Sequence, residues 1–409
     1  MISGNKFSST QSEAARAQKE WDRRFGTRQL ELKKTDPDPF TTSTWLGRGG
    51  WSSVNQIELG GIALALKRTY APKIPASVRT EVEILRQVSR KRHRHIVELI
   101  GSYIYTEKRR NSYELGIVVW PVARCDLSHF LQDLSILAQY KTDALPQNRT
   151  EELESACETL NALCMVPQTN NRVKLYSASL HKLSEYFGCI AGAVAFLHAE
   201  VQVRHKDLKP AQILLSVDGL WLTDFGLSTS IADADDSATS GLEYMTPRYQ
   251  APERVLGLRR GRAEDIFGLG CIFLEMTYAL CGLNHERLWT QEMVQGWFYQ
   301  ANVKQRLSIW LGPVHEDFLL LRDLLQAMLS FDPLTRPSIQ QVVSCIERMT
   351  FSNGEYTFIG SCCMSGKSQY VCLRVREVDI NDQVHRLLCR VVVMKRYFTN
   401  QCQPKIASR

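Results

Sequence analysis

Short stretches of alternating or uninterrupted apolar residues fill the chain between residues 40 and 120, and glycines separate several of them. This pattern is typical of β-strands joined by tight turns. Strands are predicted at residues 40–45, 54–59, 62–68, 96–105 and 113–120. Apolar residues at helical spacing predict one helix among them, at residues 77–88. This part of the chain therefore predicts a small lobe of five strands and one helix.

From residue 127 onward the apolar spacing becomes helical. Helices are predicted at residues 127–137, 180–199 and 266–278, and helical patterns continue to about residue 349. Residues 138–179 look like an insertion that contains one helix, at 151–163. Residues 1–39 form a polar extension with a helix predicted at 13–30. Residues 350–409 form a C-terminal extension with strands predicted at 370–375 and 387–393.

Composition excludes several classes of protein. The 409 residues are 44% hydrophobic and carry a formal net charge of +7, which indicates a solvated surface and no nucleic-acid partner. The twelve cysteines include no C-x-x-C pair and no His-rich partner at metal-ligand spacing, so reduced thiols are expected. No apolar stretch is long enough for a membrane span, and the N-terminus lacks the apolar core of a signal peptide. We therefore expect an intracellular protein, cytoplasmic or nuclear.

A glycine-rich segment, G-x-G-x-x-S-x-V, lies between two predicted strands and contains Gly47, Gly49, Ser52 and Val54. Glycines allow a phosphate chain to approach the backbone closely, because no side chain blocks it. A hairpin turn explains the same pattern equally well. The segment alone is therefore a weak indication of nucleotide binding.

Lys67 stands inside an apolar strand, where burying an unpaired cation costs free energy. Glu81 on the following helix is the expected partner, because it lies four residues before Leu85 on the core-facing side. Glu83 is a nearby competitor. The alternative is a lysine at a strand edge whose ammonium group reaches solvent.

Three further motifs carry the most information: H-K-D-L-K-P-A-Q at 205–212, D-F-G at 224–226 and A-P-E at 251–253. With the glycine segment, Lys67 and Glu81, they resemble the motif set of the protein kinase family in order and spacing. The resemblance covers about residues 40–349 and extends to Asp265 and Arg336. In kinases that arginine pairs with the A-P-E glutamate, here Glu253.

The K-P pair at 209–210 and Thr246 resemble the Ser/Thr group of the family, and the H-K-D loop with the long insertion is similar to poorly described fungal kinases. The resemblance implies an α+β, two-lobed protein kinase fold. A five-stranded antiparallel N-lobe with one helix would span residues 40–122. A mainly helical C-lobe would span residues 123–349, with the insertion at about 138–179.

The resemblance also implies ligands and roles for individual residues. ATP and Mg²⁺, or Mn²⁺ in its place, are the expected cofactors, and a protein with a Ser or Thr hydroxyl is the expected substrate. Asp207 would accept the hydroxyl proton, Lys209 would neutralise charge on the transferring group, and Lys67 paired with Glu81 would hold the phosphates. Asp224 and Gln212 would bind the metal. The remaining nucleotide contacts would come from Leu46, Gly47, Gly49, Ser52, Val54, Ala65, Val119, Trp120, Val122, Asp126 and Leu214.

Two positions depart from the family pattern. Gln212 stands where the second metal ligand is normally Asn, and its longer side chain displaces the amide by about 1 Å from an ion that demands near-ideal octahedral geometry. Lys206 stands where the family has Arg, and a lysine cannot form a bidentate fork with a phosphate group. The second change weakens the case for control by phosphorylation of the activation segment.

Three functions are compatible with these residues. The first is an ATP-dependent protein Ser/Thr phosphotransferase. The second is a pseudokinase that acts as an ATP-binding or scaffold module, because Gln212 replaces the metal-binding Asn. The third is a kinase-fold enzyme that phosphorylates a small molecule. The A-P-E segment with Thr246 argues against the third, because it resembles a platform for protein substrates.

Overall fold

The structure is a computed structural model that describes residues 6–33, 35–41, 43–48, 52–71, 76–107, 112–140, 150–164, 171–231, 247–258, 261–284, 288, 298–352 and 356–364. The first elements are α1 (Lys6–Phe25), β1 (Gln29–Lys33), β2 (Thr44–Arg48), β3 (Ser52–Leu59), β4 (Ile62–Ala71), α2 (Ala76–Lys91), β5 (Glu98–Glu107) and β6 (Ser112–Trp120). They are followed by β7 (Cys125–Asp126), α3 (Leu127–Tyr140), α4 (Thr150–Cys164), α5 (Arg172–Phe196), β8 (Val203–Arg204), β9 (Ile213–Ser216), β10 (Gly219–Leu222) and β11 (Thr229–Ser230). The last are α6 (Pro252–Val255), α7 (Arg262–Leu280), α8 (Tyr299–Leu311), α9 (Leu319–Met328), α10 (Ile339–Ser352) and α11 (Ser361–Met364).

The N-terminal sheet has six strands in the order β1-β5-β6-β4-β3-β2, one more than the sequence predicted. The five predicted strands form the antiparallel part, β2 to β6. The extra strand, β1, pairs in parallel with β5, with Gln29 opposite Ser102. The helix predicted at 13–30 extended too far toward the C-terminus, because α1 ends at Phe25 and β1 begins at Gln29. The chain leaves α1 at Gly26, which has a φ of 69° that glycine adopts without a steric penalty.

Helix α1 packs on this sheet. The side chains of Ala14, Ala17 and Trp21 are fully buried, and the Trp21 indole nitrogen donates a hydrogen bond of 2.7 Å to the Thr27 carbonyl. Gly101 on β5 allows the contact, because a Cβ at that position would lie 2.0 Å from the Trp21 ring. Helix α1 and strand β1 therefore pack with the N-terminal lobe.

Helices dominate the rest of the described chain, and every predicted helix there is present. Helices α3, α4 and α7 are slightly longer than predicted. Helix α5, predicted at 180–199, instead spans Arg172–Phe196, so it begins inside the segment expected as an insertion. Helix α7 lies at the centre, and its residues 264–280 are all buried. The expected insertion contains α4, which packs against α3 and α5. Two small sheets follow the large one, β10-β9-β7 and β11-β8. Their strands flank the segments 205–212 and 223–228, which contain two of the motifs found in the sequence. The expected two-lobed fold, with a sheet-rich and a helical lobe, is confirmed.

Residues 356–364 return to pack on α5. The Gly188 amide donates to the Phe358 carbonyl at 2.8 Å, and the Phe358 ring is buried against Phe187. The strands predicted at 370–375 and 387–393 lie outside the described residues. Among the helices that the structure describes, none combines the length and apolarity needed to cross a bilayer.

Candidate active site

Three charged residues from distant parts of the chain meet at one ammonium group. Lys67 Nζ lies 2.8 Å from Glu81 Oε1 and 2.9 Å from Asp224 Oδ1. Lys67 projects from β4 in the middle of the sheet, and Glu81 comes from α2, which follows that strand. The sequence predicted the Lys67–Glu81 pair, and Glu83 instead pairs with Arg86 on the helix surface.

The charges of this triad stabilise one another. Burial opposes the charged form of Lys67, but the carboxylates of Glu81 and Asp224 outweigh it and raise its pKa. Burial would raise the pKa of Asp224 too, yet the Lys67 ammonium group lowers it below its usual range. The pKa of Glu81 is raised, because its burial exceeds the effect of Lys67. Lys67 is thus a fixed cation and Asp224 a fixed anion.

A second group of polar side chains lies on the loop after β8. Lys209 Nζ donates to Asp207 Oδ2 at 2.6 Å. The Gln212 side-chain nitrogen donates to Asp224 Oδ2 at 2.8 Å, and it lies 3.3 Å from Asp207 Oδ2. Gln212 ends a short 3₁₀ turn, Pro210–Gln212, that leads into β9. Gln212 therefore connects the loop that carries Asp207 to the loop that carries Asp224.

The backbone of these two loops is fixed by buried side chains. Asp265 on α7 accepts hydrogen bonds from the backbone amides of His205 and Lys206, at 2.9 and 2.7 Å, and from the His198 ring at 2.7 Å. Burial alone would raise the pKa of Asp265, but the His198 ring lowers it. Lys206 adopts a φ of 69°, a conformation that few non-glycine residues adopt. The Asp265 carboxylate therefore holds a strained turn directly before Asp207.

Hydrogen bonds also join the Asp207 loop to the Asp224 loop. The His205 ring contacts the Thr223 carbonyl at 3.0 Å, and the Thr223 amide donates to the Gln212 carbonyl at 3.0 Å. Asp224 follows at a φ of 63°. The sequence motifs included His205 but gave it no role, because nothing local indicates that its ring reaches a carbonyl 18 residues away.

The residues expected around a nucleotide base fall on two neighbouring sheets. Val54, Ala65 and Val119 share one face of the large sheet with Lys67, since Val54 is opposite Lys67 and Ala65 is opposite Val119. Gly47 is opposite Val54, and Leu46 is exposed beside it.

The remaining expected contacts lie in the small sheet β10-β9-β7, at the end of β6 and at the start of β3. Leu214 is opposite Asp126 in the small sheet β10-β9-β7. The Trp120 side chain packs edge-to-face on Trp221, with 5.9 Å between ring centroids, so only its backbone is left for a ligand. Val122 is half-buried after β6, and Ser52 opens β3. Gly49 lies outside the described residues.

The donor chemistry beside Asp224 fits a hard divalent cation. An ionised carboxylate and an amide oxygen are the ligand types that Mg²⁺ prefers. The Gln212 nitrogen faces the carboxylates, and a half-turn of the amide would present its oxygen instead. Asp224 and Gln212 could therefore hold Mg²⁺ or Mn²⁺ together, and the ammonium groups of Lys67 and Lys209 contact the neighbouring carboxylates of Asp224 and Asp207.

A buried ion pair joins the segment after this site to the helical lobe. Arg336 donates to both oxygens of Glu253, at 2.7 and 2.8 Å, as the sequence predicted. The Arg254 guanidinium contacts both Glu264 and the Lys206 carbonyl. Residues 232–246, including Thr246, lie outside the described residues.

Comparison with known proteins gives one family: residues 40–345 match the protein kinase domain. The serine/threonine-protein kinase stk11 of Xenopus laevis is 25% identical over 285 residues, which cover 68% of this chain and 52% of that protein. Serine/threonine-protein kinase BIK1 of Arabidopsis thaliana is 29% identical over 176 residues, 40% of this chain and 44% of its own length. Mitogen-activated protein kinase kinase 2 of Arabidopsis thaliana is 32% identical over 112 residues, 26% of this chain and 30% of its own length. The chain thus spans between 30% and 52% of the length of these relatives.

Proposed function

Because the chain belongs to the protein kinase family, we propose that it transfers the γ-phosphoryl group of ATP to Ser or Thr hydroxyls of protein substrates. The observation that carries this proposal is the Lys67 ammonium group bound at once to Glu81 and Asp224. In this arrangement the phosphate-holding cation, the helix α2 and the metal-binding carboxylate are already assembled. The Ser/Thr preference rests on the K-P pair at 209–210 and on the names of distant relatives.

Each side chain has a separate task in the proposed reaction. Lys67 binds the α- and β-phosphates and is itself positioned by Glu81. Asp207 accepts the proton of the attacking hydroxyl, and Lys209 at 2.6 Å compensates charge as the phosphoryl group moves. Asp224 and Gln212 would hold Mg²⁺, which would neutralise phosphate charge when bound.

The test is phosphate transfer from ATP to a generic basic protein by the full chain with Mg²⁺. Lys67→Met should abolish transfer, since no other cation is paired with both Glu81 and Asp224 among the described residues. Lys182→Met is the matched control, because Lys182 forms an ion pair with Glu185 at similar exposure but away from the site. Full activity of Lys67→Met would contradict the assignment.

A pseudokinase is the second candidate, and one observation favours it. The amide nitrogen of Gln212, not its oxygen, faces the carboxylates of Asp207 and Asp224. The side chain therefore acts as a neutral bridge between two anions, a role that can maintain a folded nucleotide site without metal. ATP binding measured with and without Mg²⁺ separates the two candidates. Binding that ignores Mg²⁺, with no transfer, would identify a binding module.

The compartment is part of the same proposal. None of the nine cysteines among the described residues forms a disulfide, which agrees with the reducing, intracellular environment expected from the sequence. Kinase substrates and ATP are available there.

A further inference from the structure

Four side chains that the proposed reaction does not use converge behind the site. His95, Cys189, Cys362 and Cys363 each direct a metal-ligating atom into one space, and these atoms lie within 4.8 Å of one another. The Cys189 sulfur is 3.5 Å from that of Cys362 and 3.9 Å from that of Cys363, and the two adjacent sulfurs are 3.8 Å apart. His95 Nε2 lies 3.2 Å from the Cys363 sulfur and 3.5 Å from the Cys362 sulfur.

These separations match one coordination geometry. Zinc–sulfur bonds of about 2.3 Å and zinc–nitrogen bonds of about 2.1 Å at tetrahedral angles put two sulfurs about 3.8 Å apart and a sulfur and a nitrogen about 3.6 Å apart. The five distances lie within about 0.4 Å of those values, and the sixth, between the ligand atoms of His95 and Cys189, is at most 4.8 Å. They are too long for a disulfide, whose sulfurs are bonded at about 2.05 Å. Three thiolates and one imidazole are also a ligand set that selects zinc among the common divalent metals.

The surroundings of the cluster orient its ligands. His95 Nδ1 contacts the Leu220 carbonyl at 3.1 Å, so the proton resides on Nδ1 and the Nε2 lone pair points at the sulfurs. Gly360 leaves room for the sulfurs, since a Cβ there would lie 3.0 Å from Cys189 and 3.1 Å from Cys362. The Cys363 amide donates to the Gly360 carbonyl at 2.8 Å, which holds the turn. His95 and Cys189 are buried.

We propose that His95, Cys189, Cys362 and Cys363 form a structural zinc site that fastens the C-terminal segment and the loop after α2 to helix α5. Three thiols would lose their protons on binding, and the closed four-ligand shell would leave no position for a substrate. Linear spacing could not show the site, because His95 and Cys363 are 268 residues apart.

The site connects three separate segments of the chain. His95 lies between α2, which carries Glu81, and β5. Cys189 lies on α5, where the Gly188 amide and the Ser184 hydroxyl already bind the backbone of residues 357–358. A bound metal would thereby fix the end of α2 against the helical lobe.

The first test is zinc content of the full chain, purified without added metal or chelator and measured by inductively coupled plasma mass spectrometry. About one zinc per chain is expected. Cys363→Ser and Cys362→Ser should each lose zinc to a competing chelator roughly tenfold faster or more. Cys157→Ser is the matched control, because that thiol is also half-buried but lies on α4 away from the cluster, and it should retain zinc.

A second measurement remains valid if a variant fails to fold. The native chain is exchanged with Co²⁺, and a tetrahedral thiolate site gives strong visible ligand-field bands and a thiolate charge-transfer band. Absence of zinc and of Co²⁺ bands, together with alkylation of the three thiols of Cys189, Cys362 and Cys363, would overturn the proposal in favour of a plain thiol–imidazole cluster. A disulfide from Cys189 to Cys362 or Cys363, found by mass spectrometry, would overturn it in favour of a redox pair. Zinc retained equally by all variants would place the metal elsewhere.

Discussion

The side-chain nitrogen of Gln212 lies 2.8 Å from Asp224 Oδ2 and 3.3 Å from Asp207 Oδ2. One neutral amide thus donates to the carboxylate proposed as the base and to the carboxylate proposed as the metal ligand. Carboxylates accept hydrogen bonds only, so the amide nitrogen faces them and its oxygen points away. Binding a cation at this place requires the amide to turn over, which a longer side chain permits but does not favour.

Gln212→Asn should increase phosphate transfer with Mg²⁺. A shorter amide removes the displacement of about 1 Å and can place its oxygen directly on the ion. An improved metal clamp of about 1–3 kcal/mol corresponds to a rate increase of roughly 5- to 150-fold. Single-turnover transfer in Mg²⁺ and in Mn²⁺ is the measurement. Replacing Mg²⁺ by Mn²⁺ should increase the transfer rate of the native chain more than that of the variant. A variant that transfers phosphate no faster than the native chain would show that Gln212 does not limit metal binding.

Asp207→Asn and Asp224→Asn should separate turnover from binding. Removing a general base lowers turnover by about 10²- to 10⁴-fold while leaving nucleotide affinity nearly unchanged. Asp224→Asn removes both the proposed metal ligand and a charge partner of Lys67, so it should weaken the binding of Mg²⁺-ATP as well. Equilibrium nucleotide binding and transfer rate are measured on the same preparations. Equal losses of binding in both variants would contradict the assigned roles.

Glu275→Gln should stabilise the protein at neutral and alkaline pH. Burial raises the pKa of Glu275 to about 7 from 4.5, and the hydroxyls of Tyr249 and Tyr299 at 2.9 Å only partly oppose it. The folded state holds this proton more tightly than the unfolded chain, so stability is lost as pH rises from about 4.5 to about 7. The loss is roughly 3 kcal/mol when complete.

Glutamine keeps an acceptor oxygen for both tyrosine hydroxyls but never ionises, so the variant should lack that part of the pH dependence. Urea unfolding at about pH 5, about pH 6 and about pH 8 gives the free energies. Glu316→Gln, at an exposed position, controls for the loss of one negative charge. If the free energy of unfolding changed with pH equally in the native chain and in Glu275→Gln, ionisation of Glu275 would not destabilise the fold, and the prediction would be wrong.

Arg336→Lys should destabilise the helical lobe despite keeping the charge. The guanidinium makes two bonds to Glu253 and one each to the carbonyls of Ala263 and Ser330, all at 2.7–2.8 Å. A lysine cannot reproduce this planar fork, and disrupting a buried pair costs about 3 kcal/mol. Denaturant unfolding should show that loss, whereas Arg348→Lys on the exposed face of α10 should change stability by less than about 0.5 kcal/mol.

The sequence predicted those parts of the molecule that depend on local pattern or on motif order. The alternation in β4 and the helical spacing in α2 place Lys67 and Glu81, 14 residues apart, on facing surfaces. Asp224 lies 157 residues from Lys67, and only the resemblance to a family could bring it to the same site. Strand β1 was missed because its first two residues, Gln29 and Leu30, were read as the end of a helix, and Gly26 decides that boundary.

The cysteine cluster shows why spacing rules have a limit. They detect ligands that a short loop brings together, such as two cysteines separated by two residues. Here only Cys362 and Cys363 are close in sequence. His95 and Cys189 come from a loop and a helix whose meeting is set by the packing of the whole fold.

Strand β1 changes which edge the large sheet presents to other molecules. Without it, β5 would expose the backbone groups of residues 102–106 beside Tyr103, Ile104 and Tyr105, an apolar edge of the kind that recruits strands from other chains. With it, the outermost strand is only five residues long and carries Glu31 and Lys33, which discourage such pairing. A chain that begins at residue 40, where the family match begins, would keep all the proposed catalytic residues. It would nevertheless aggregate more readily, because the edge of β5 would be exposed.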